Sequence, residues 1–425
     1  MKTYLVGGAV RDLLLGLDPK DRDYVVIGET HESMVRAGFM QVGNDFPVYL
    51  HPKTREEYAL ARIEHRTGRG HTAFEIKTEG VTLEEDLRRR DLTINAIAMD
   101  EEKNVIDPFG GQIDLKNNVL RHVADDTFIE DPLRLLRVAR FRARMMFTIQ
   151  AETHHLLAKM VASGDLNHLT PERVMMETIK ALKEEHPEEY FMMLLNVGAL
   201  QVIMPELACL SGVPQPAEHH SEIDTFIHVM MALQQCVTMT LNPVTRFAVL
   251  VHDLGKGITP KNELPHHFDH EALGVPLVEA LCERLKFPNE YKRAGVDACR
   301  QHLHVHRILD ARTPGKVVNM LMSLGVPQTI ERVEHLVIAA EADARGRIGF
   351  EDRPYPQGAA FLELARRLSR FNTAEVAREA KECGKVGAQI GEAIMNSRCH
   401  FMGKEMKRVR MQRTDPLPIS GLPVS

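Results

Sequence analysis

Several features that would point to other classes of protein are absent from this chain. Its six cysteines are scattered and form no C-x-x-C pair, which is typical of reduced thiols in a cytoplasm. No apolar run approaches the roughly 18 residues that a membrane-spanning helix needs, and no apolar signal segment precedes the first strand pattern. Positive charge is not in excess either, with 53 Lys and Arg against 59 Asp and Glu. The sequence therefore predicts a cytoplasmic protein without membrane segments, in which local basic patches must bind any polyanionic partner.

The chain has the length and composition of an ordinary globular protein with several domains. Its 425 residues exceed one typical domain, and 44% of them are hydrophobic and 26% charged. Short apolar strands, among them Tyr24–Ile27 and Ile94–Met99, dominate about the first 115 residues. From Phe128 onward the apolar residues recur with a helical period instead. These patterns predict an α+β fold in which a head with a sheet is followed by helices.

The most informative segment is Leu5-Val-Gly-Gly-Ala-Val-Arg-Asp12, which is followed by the pair Asp21 and Asp23. Paired glycines let backbone N–H groups approach a phosphate closely, because no Cβ is in the way. Arg11, near the start of the next helix, is placed to meet triphosphate oxygens. Two aspartates at i and i+2 on a strand face the same side, so their carboxylates can share divalent ions. An isolated D-x-D is usually an exposed acidic turn, but with the glycines it predicts a magnesium-dependent phosphoryl or nucleotidyl transferase.

Three later segments narrow this prediction. They are Leu87-Arg-Arg-Arg-Asp-Leu-Thr-Ile-Asn-Ala96, Asp107-Pro-Phe-Gly-Gly111 and Glu130-Asp-Pro-Leu-Arg-Leu-Leu-Arg-Val-Ala-Arg-Phe141. Their motifs and their order resemble those of the bacterial tRNA nucleotidyltransferase and poly(A) polymerase family. The resemblance implies a polymerase-β-like nucleotidyltransferase head with a mixed sheet over residues 1–125. It also implies an all-helical neck and body over residues 126–222, with a helix that selects the nucleobase.

The last of these segments pairs a hydrogen-bond acceptor, Asp131, with a forked donor, Arg134. Such a pair can bind the Watson–Crick edge of cytosine or adenine as another base would, although arginines at every third position also fit a solvated basic helix face. The resemblance implies that the protein itself selects C or A. It also assigns Mg²⁺ and catalysis to Asp21 and Asp23. The residues implied to bind ATP or CTP are Gly8, Arg11, Arg90, Asp91, Asp131, Arg134, Arg137 and Arg140.

The sequence leaves the roles of two further features of the head undecided. Glu57 is a candidate third carboxylate for two metal ions, but Glu56 and Glu57 fit a solvated strand start equally well. The polar, cationic and glycine-bearing segment Glu64–His71 predicts a mobile loop. The resemblance implies that this loop switches the site between CTP and ATP, and a passive surface loop is the alternative.

A second group of metal-ligating residues lies in the following helical block. Histidine and aspartate are ligands of divalent transition metals, and the H…HD…H-x-x-H order resembles an HD phosphohydrolase domain, over residues 223–330. The ligands predicted are His228, His252, Asp253, His267, His270 and His302. The resemblance implies a divalent ion such as Ni²⁺ or Mn²⁺ that activates water for phosphoester hydrolysis. Asp297 and His302 compete as the last ligand, so occupancy by two metal ions is open.

Nearly the whole chain resembles class II tRNA nucleotidyltransferases with a C-terminal HD domain. This resemblance implies addition of C, C and A to tRNA 3′ ends from CTP and ATP, with 2′,3′-cyclic phosphodiesterase, 2′-nucleotidase and phosphatase activities in the HD domain. The last region, 331–425, is predicted to be helical. Its basic segment Arg398–Arg413 is either an ordinary helix end or a set of phosphate contacts to tRNA. The protein is expected to be a monomer or a homo-oligomer.

Two alternative functions remain to be compared. A poly(A) polymerase would use only ATP, but such enzymes usually carry an N-terminal extension and a strongly basic tail, whereas Met1 lies two residues before the first predicted strand. An HD hydrolase whose head merely binds nucleotide would have no need of the metal pair Asp21 and Asp23.

Overall fold

The structure is a computed structural model. It describes residues 1–42, 48–66, 74–216 and 222–411. The chain divides into two compact units, Met1–Ile203 and Met204–Ser425. Among the described residues, no helix is long and apolar enough to cross a membrane. The finer division into four regions that the sequence suggests stays a prediction.

All named strands belong to the first unit. They are β1 (Lys2–Val6), β2 (Asp23–Ile27), β3 (Met40–Val42), β4 (Val48–Leu50), β5 (Glu57–Leu60), β6 (Ile63–Arg66), β7 (Phe74–Lys77), β8 (Ala98–Met99), β9 (Val105–Ile106), β10 (Val119–Leu120) and β11 (Thr148–Ile149). Seven of them form one sheet in the order β3-β4-β5-β2-β1-β8-β9. β1 is antiparallel to β2 and β8, whereas β2 is parallel to β5. The mixed sheet predicted for the head is confirmed.

Two predictions about the head differ from the structure in detail. Ile94–Met99 is not one strand, because a 3₁₀ turn occupies Thr93–Asn95 and only Ala98–Met99 pairs with β1. The predicted loop Glu64–His71 begins inside β6, and its residues 67–71 lie outside the described part of the chain.

The first unit also contains the helix that carries the basic residues of the site. Its helices are α1 (Gly8–Leu14), α2 (His31–Arg36), α3 (Leu83–Arg88), α4 (Gly111–Lys116), α5 (Asp125–Glu130), α6 (Leu133–Met145), α7 (Ala151–Ala162), α8 (Pro171–Leu182), α9 (Pro187–Asn196) and α10 (Ala199–Ile203). α6 buries Leu135, Leu136 and Val138 completely and packs against α8 and α9. Because a helix has 3.6 residues per turn, this apolar stripe leaves the arginines of α6 on another side.

The second unit is built from helices. They are α11 (Pro205–Ala208), α12 (Thr225–Met239), α13 (Pro243–Val251), α14 (His270–Arg284), α15 (Asn289–His306), α16 (Pro314–Ser323), α17 (Glu331–Arg345), α18 (Pro356–Ser369), α19 (Thr373–Glu382) and α20 (Ala388–Met411). A 3₁₀ helix spans Leu254–Ile258. α13, α15 and α17 pack on one another, and α16, α18 and α20 form a further packed group.

The start of α4 offers a test of the packing in the head. A Cβ on Gly111 would collide with the carbonyl oxygen of Thr93 and lie 2.8 Å from Cγ1 of Ile97. Overpacking of this kind costs about 1–3 kcal/mol, so Gly111→Ala should lower the free energy of unfolding by that amount in urea denaturation. Gly391→Ala is the control, because no heavy atom lies within 4 Å of that Cβ. Alanine in this exposed helical position should be neutral or slightly stabilising. Equal stability of the two variants would contradict the close approach at Gly111.

Candidate active site and metal centre

A cleft of about 460 Å³ in the first unit brings the predicted nucleotide-binding residues together. All eight of them line it, as does Asp23, whereas Asp21 is not part of the lining. The charged side chains of the lining are Arg11, Asp23, Arg89, Arg90, Asp91, Asp131, Arg134, Arg137, Arg140, Arg144 and Arg173. Eight arginines against three aspartates make a strongly positive site, which suits a polyanion such as a nucleoside triphosphate.

Gly7 makes room for one of these arginines. Its backbone has φ +71°, and a Cβ there would lie 2.7 Å from Nη1 of Arg90. At Gly8 the nearest atom, Nη2 of Arg11, is 3.5 Å away, which is an ordinary contact. Nε of Arg90 is buried and has no hydrogen-bond partner among the described residues. The first glycine of the pair therefore sets the position of a guanidinium that still has a donor available for a ligand.

Asp86, which sequence reasoning missed, holds this arginine and its neighbour. The carboxylate is fully buried and accepts hydrogen bonds from Nε and Nη2 of Arg89 at 2.9 and 2.8 Å and from Nη2 of Arg90 at 3.3 Å. Burial alone would raise the pKa of Asp86, but the two guanidinium groups lower it. Its position three and four residues before the arginines is the signal in the sequence, because such residues meet on one helix face.

Asp91 and Asn95 connect two arginines that come from different helices. Asp91 Oδ2 accepts from Nε of Arg137 at 2.8 Å, and its Oδ1 accepts from Nδ2 of Asn95 at 2.9 Å. Asn95 Oδ1 in turn accepts from Nη1 of Arg11 at 2.7 Å. Burial would raise the pKa of Asp91, but Arg137 and Asn95 hold it well below its usual range. The carboxylate of Asp91, which was expected to bind the nucleotide, is therefore already bound to donors of the protein.

An aromatic ring lies among three of the arginines. The guanidinium carbons of Arg11, Arg137 and Arg140 are 5.4, 6.0 and 4.9 Å from the centroid of Phe141. At these distances the ring quadrupole attracts the cations. Arg140 also donates from Nε to Glu177 at 2.7 Å. Cation–π contacts and carboxylates thus stabilise guanidinium groups that would otherwise repel one another.

The proposed base-reading pair is bound to other protein groups in this structure. Asp131 accepts from Nη2 of Arg173 at 2.9 Å, and Arg134 donates from Nη2 to the carbonyl of Arg89 at 2.5 Å. Arg173 lies on α8, 42 residues from Asp131 in the sequence. Sequence reasoning missed Arg173, since nothing in its local pattern relates it to the cleft.

The aspartate pair is only partly on a strand. Asp23 is the first residue of β2, opposite Glu57 in the parallel pairing with β5, and Asp21 precedes the strand. No described residue donates a hydrogen bond to the carboxylate of Asp21 or Asp23. Burial raises the pKa of Asp23, Asp21 raises it further, and Arg90 opposes both. Carboxylates that lack donors and lie close to one another fit a divalent cation, which prefers such oxygen ligands. The strand register places Glu57 opposite Asp23, so its role as a third carboxylate stays a prediction.

The second unit contains a separate, buried cluster of histidines and aspartates. Two groups have ligand atoms within 4.8 Å of one another, one formed by His228, His252 and Asp343 and the other by His252, Asp253 and His302. Nε2 of His228 lies 2.9 Å from Oδ1 of Asp343, and Nε2 of His252 lies 3.2 Å from Oδ2 of Asp253. Outside these two groups, Nε2 of His270 lies 3.4 Å from Oδ1 of Asp253.

Backbone carbonyls orient the imidazoles of this cluster. Nδ1 of His252 donates to the carbonyl of Val249, and Nδ1 of His270 donates to the carbonyl of His267. Nδ1 of His302 donates to the carbonyl of Ala298, and the three distances are 2.7 to 2.9 Å. The opposite nitrogen, Nε2, is then available as a ligand.

Several atoms of this cluster are buried without a partner. Nε2 of His252, Nε2 of His270 and Oδ1 of Asp253 have no hydrogen-bond partner among the described residues. Since such orphaned atoms are rare in proteins, the cluster fits a divalent metal ion.

The charges of the cluster are set by burial and by the two aspartates. Burial lowers the pKa of His302 to about 3, with a further contribution from His252. Burial also opposes the charged form of His252, but Asp253 and Asp343 raise its pKa to about 10. Burial alone would raise the pKa of Asp253 and Asp343. The surrounding histidines, and at Asp253 also Lys256, hold both values well below the usual range. The carboxylates are therefore ionised and attract a cation.

Comparison with known proteins covers both sites. Three family models match the chain: the poly A polymerase head domain over residues 3–121, the probable RNA and SrmB-binding site of polymerase A over 146–210, and the HD domain over 225–345. The match to the head domain contains Asp21, Asp23 and the three arginines at positions 88–90. The third extends beyond residue 330 and includes Asp343.

Curated relatives match over almost the whole chain. A multifunctional CCA protein of Acinetobacter baumannii is 49% identical over 408 residues, which cover 95% of this chain and 97% of the relative. The chain belongs to the multifunctional CCA protein family. The member from Teredinibacter turnerae is 46% identical, and the match covers 98% of this chain and 100% of the relative. The member from Hahella chejuensis is 48% identical, and the match covers 94% of each chain.

Solved structures share the fold at low sequence identity. An apo form of a CCA-adding enzyme has a TM-score of 0.67 at 20% identity and covers 97% of this chain and 91% of its own. A Thermotoga maritima CCA-adding enzyme complexed with tRNA has a TM-score of 0.62 at 19% identity and the same coverage.

The structure places the two candidates for the last HD ligand, Asp297 and His302, in different surroundings. Asp297 binds Nε and Nη2 of Arg332 at 2.8 and 2.7 Å and lies outside the cluster, whereas His302 lies inside it. Asp343, in the segment Glu341-Ala-Asp-Ala-Arg345 on α17, was missed because the predicted domain ended at residue 330.

The predicted metal ligand His267 forms hydrogen bonds with groups outside the cluster. Nδ1 of His267 bonds the hydroxyl of Thr259 at 2.7 Å, and Nε2 bonds the carbonyl of Pro214 at 3.0 Å. Neither group of metal-ligating atoms includes His267. Its contribution here is the carbonyl that orients His270.

The buried carboxylate of Asp86, which binds Arg89 and Arg90, gives a prediction for the cleft. Asp86→Asn keeps the size of the side chain but leaves two arginines without their charge partner. We expect ATP affinity to fall on the order of tenfold in calorimetric titration, with a loss of stability of about 3 kcal/mol. Asp126→Asn is the matched control, because Asp126 binds Arg88 at 3.0 Å where both side chains are more than half exposed. Such a pair contributes about 1 kcal/mol or less. Equal effects of the two substitutions would contradict the role of Asp86.

The metal centre is tested by substituting Asp343, which lies in the cluster, and Asp297, which lies outside it. Asp343→Asn should lower the Mn²⁺ affinity of the full chain at least about 100-fold, because loss of an outer-shell partner alone costs about 10–100-fold. Asp297→Asn should leave Mn²⁺ affinity unchanged. Calorimetric titration measures both. Weakened binding in Asp297→Asn with normal binding in Asp343→Asn would reverse the assignment.

Proposed function

We propose that this protein adds C, C and A to the 3′ end of tRNA, using CTP and ATP and no nucleic-acid template. The observation that carries the proposal is the cleft in which Asp23, whose carboxylate accepts no hydrogen bond from any described residue, lies beside eight arginines. Membership of the multifunctional CCA protein family supports it. Related folds have been solved with ATP, with CTP and with tRNA bound.

In this proposal each part of the cleft has a separate task. Asp21 and Asp23 hold Mg²⁺, with Glu57 as a third carboxylate from the neighbouring strand. The chemistry that Mg²⁺ supplies in such a site is activation of the 3′-hydroxyl and neutralisation of the leaving pyrophosphate. Arg11 and Arg90 bind triphosphate oxygens, for which Arg90 has the unpartnered Nε.

The base is read by groups that must first exchange partners. Asp131 and Arg134 present an acceptor and a donor to cytosine or adenine. To do so, Asp131 exchanges Arg173 for the base, and Arg134 gives up the carbonyl of Arg89. The flanking arginines, Arg137 and Arg140, keep their carboxylates and add positive charge to the site. A small rearrangement on nucleotide binding is therefore part of the proposal.

We also infer that the HD domain hydrolyses phosphoesters at the 3′ ends of RNA, as 2′,3′-cyclic phosphodiesterase, 2′-nucleotidase and phosphatase. The specific observation in favour is the set of orphaned buried atoms in the cluster. His228, His252, Asp253 and Asp343 hold a divalent ion such as Ni²⁺ or Mn²⁺, with His270 and His302 available for a second. Hydrolysis of damaged ends would prepare tRNA for the addition of C, C and A.

One assay separates this proposal from the two alternatives. The protein is incubated with tRNA that lacks CCA and with labelled CTP and ATP, alone and together. Incorporation should stop after two C and one A. Long A tails would identify a poly(A) polymerase, and no incorporation would leave an HD hydrolase with a nucleotide-binding head.

Single substitutions should separate the two activities. Asp23→Asn should lower nucleotide incorporation about 10³-fold or more, since a bound metal ion contributes several kcal/mol to the transition state, and should leave phosphodiesterase activity intact. His252→Ala should have the opposite effect. If Asp23→Asn incorporated nucleotides at the normal rate, the proposed metal site of the head would be wrong.

A further inference from the structure

The second unit has an arginine beside its histidine cluster that is not among the proposed metal ligands. Arg347 follows α17 by two residues, and its Nη2 lies 3.8 Å from Oδ1 of Asp343. Its Nε is buried and has no hydrogen-bond partner among the described residues. The rest of the guanidinium forms no hydrogen bond with a described residue either. The side chain therefore borders the metal centre with its donors available.

Asp343 is held by groups other than Arg347. Its Oδ1 lies 2.9 Å from Nε2 of His228, and its Oδ2 lies 2.7 Å from Nε2 of His306. Nδ1 of His306 bonds the hydroxyl of Tyr355 at 2.8 Å, which fixes that imidazole. A separation of 3.8 Å between Arg347 and Asp343 is too long for a hydrogen bond. The position of the carboxylate is therefore set by the two histidines.

The turn that carries Arg347 is fixed against the metal centre. The carbonyl of the preceding residue, Gly346, accepts from Nδ1 of His228 at 3.1 Å. A Cβ on Gly346 would lie 2.5 Å from Cα of Ala232, so the turn packs closely on α12, the helix that carries His228. The side chain of Arg347 is 24% exposed. A ligand that enters from solvent can therefore reach a guanidinium whose backbone is held in place.

An anionic substrate needs a cation at this centre. The ionised carboxylates of Asp253 and Asp343 repel a phosphate group. Lys256 also borders the cluster, but its Nζ donates to Asp253 at 2.6 Å and to Gln215 at 2.7 Å. Arg347 has no hydrogen-bonded partner of this kind, so its charge and its forked donors are available to an oxyanion.

We propose that Arg347 binds the phosphate oxygens of the ester that the HD domain hydrolyses. The inference rests on the proposed phosphohydrolase function of this domain, and it adds the residue that holds the reacting group. Arginine suits this task, because its guanidinium presents parallel N–H donors to two oxygens of one phosphate. The ester is then held between the histidine cluster and the guanidinium, on the side of Asp343.

The recognised element in this proposal is the phosphate group itself. A terminal phosphate monoester has three free oxygens and a 2′,3′-cyclic phosphate has two, so both can meet the fork of a guanidinium. Asp343 belongs to one of the two groups of metal-ligating atoms, which places Arg347 at the reacting centre. We therefore expect mononucleotides and RNA ends to depend on Arg347 equally.

Calorimetric titration with inorganic phosphate measures the proposed contact. The full chain loaded with Mn²⁺ is compared with the variant Arg347→Gln. Loss of a hydrogen-bonded charge pair should raise the dissociation constant of phosphate about tenfold or more. In hydrolysis of adenosine 2′-phosphate, kcat/KM should fall on the order of 100-fold, as it does when one donor to an oxyanion is removed. Unchanged phosphate affinity would overturn the proposal.

Affinity for the metal ion separates this role from a structural one. Removal of a nearby positive charge favours the binding of a cation, so Arg347→Gln should bind Mn²⁺ at least as tightly as the wild type. If Arg347 positioned Asp343 instead, Mn²⁺ binding would weaken, and that result would contradict the proposal. Arg347→Lys keeps the charge without the fork and should recover part of the phosphate affinity.

Arg345 provides a matched control on the same helix. It lies two residues before Arg347, binds Glu341 at 2.8 Å and has a similarly exposed side chain, at 27%. Residues two apart do not share a helix face, so Arg345→Gln should bind phosphate and hydrolyse the ester normally. An equal loss in this control would assign the effect to the end of α17 rather than to the guanidinium of Arg347, and the proposal would be wrong.

Two substrates distinguish the sources of the phosphate group. Adenosine 2′-phosphate and an RNA oligonucleotide with a 2′,3′-cyclic phosphate end should lose kcat/KM by the same factor in Arg347→Gln. A loss with the RNA alone would place Arg347 against the RNA chain and contradict the inference. If the wild-type chain bound phosphate through Arg347 but hydrolysed neither substrate, the inference would stand and the proposed hydrolase function would fail.

Discussion

Buried carboxylates hold the arginines of the head cleft in place, and the rest of the site depends on these pairs. Guanidinium groups repel one another, and a buried charge without a partner costs several kcal/mol. Asp86 neutralises Arg89 and Arg90, and Asp91 neutralises Arg137. Glu177 does the same for Arg140. The net positive charge that can bind a triphosphate is what remains after this internal pairing.

In the second unit, buried carboxylates rather than buried arginines need partners of opposite charge. Asp253 and Asp343 lie among histidines, yet several ligand atoms still lack a partner, so the centre is complete only with a cation. In the head, by contrast, both carboxylate oxygens of Asp91 already accept hydrogen bonds from the protein. The network from Arg11 to Arg137 is therefore formed before a ligand binds, whereas the histidine cluster of the second unit still has ligand atoms available for a metal ion.

Local motifs predicted the mixed sheet, the helical remainder and the residues that line the cleft. They failed where a residue acts through a distant part of the chain. Asp343 meets His228 across 115 residues, and Arg173 meets Asp131 across 42, which no short pattern records. The predicted strand at Ile94–Met99 failed for a different reason. The side chains of Thr93 and Asn95 bond Asp114 and Asp91 at 2.6 and 2.9 Å, and such side-chain hydrogen bonds compete with strand pairing.

The connection of Arg11 through Asn95 and Asp91 to Arg137 has a consequence for redesign of the enzyme. Arg11 extends from the helix after the glycine turn, whereas Arg137 belongs to the helix that also carries Arg134. Substitutions within one hydrogen-bonded network have non-additive effects. Directed evolution toward a different nucleotide would therefore need paired changes in both helices, and libraries that vary one position at a time would miss them.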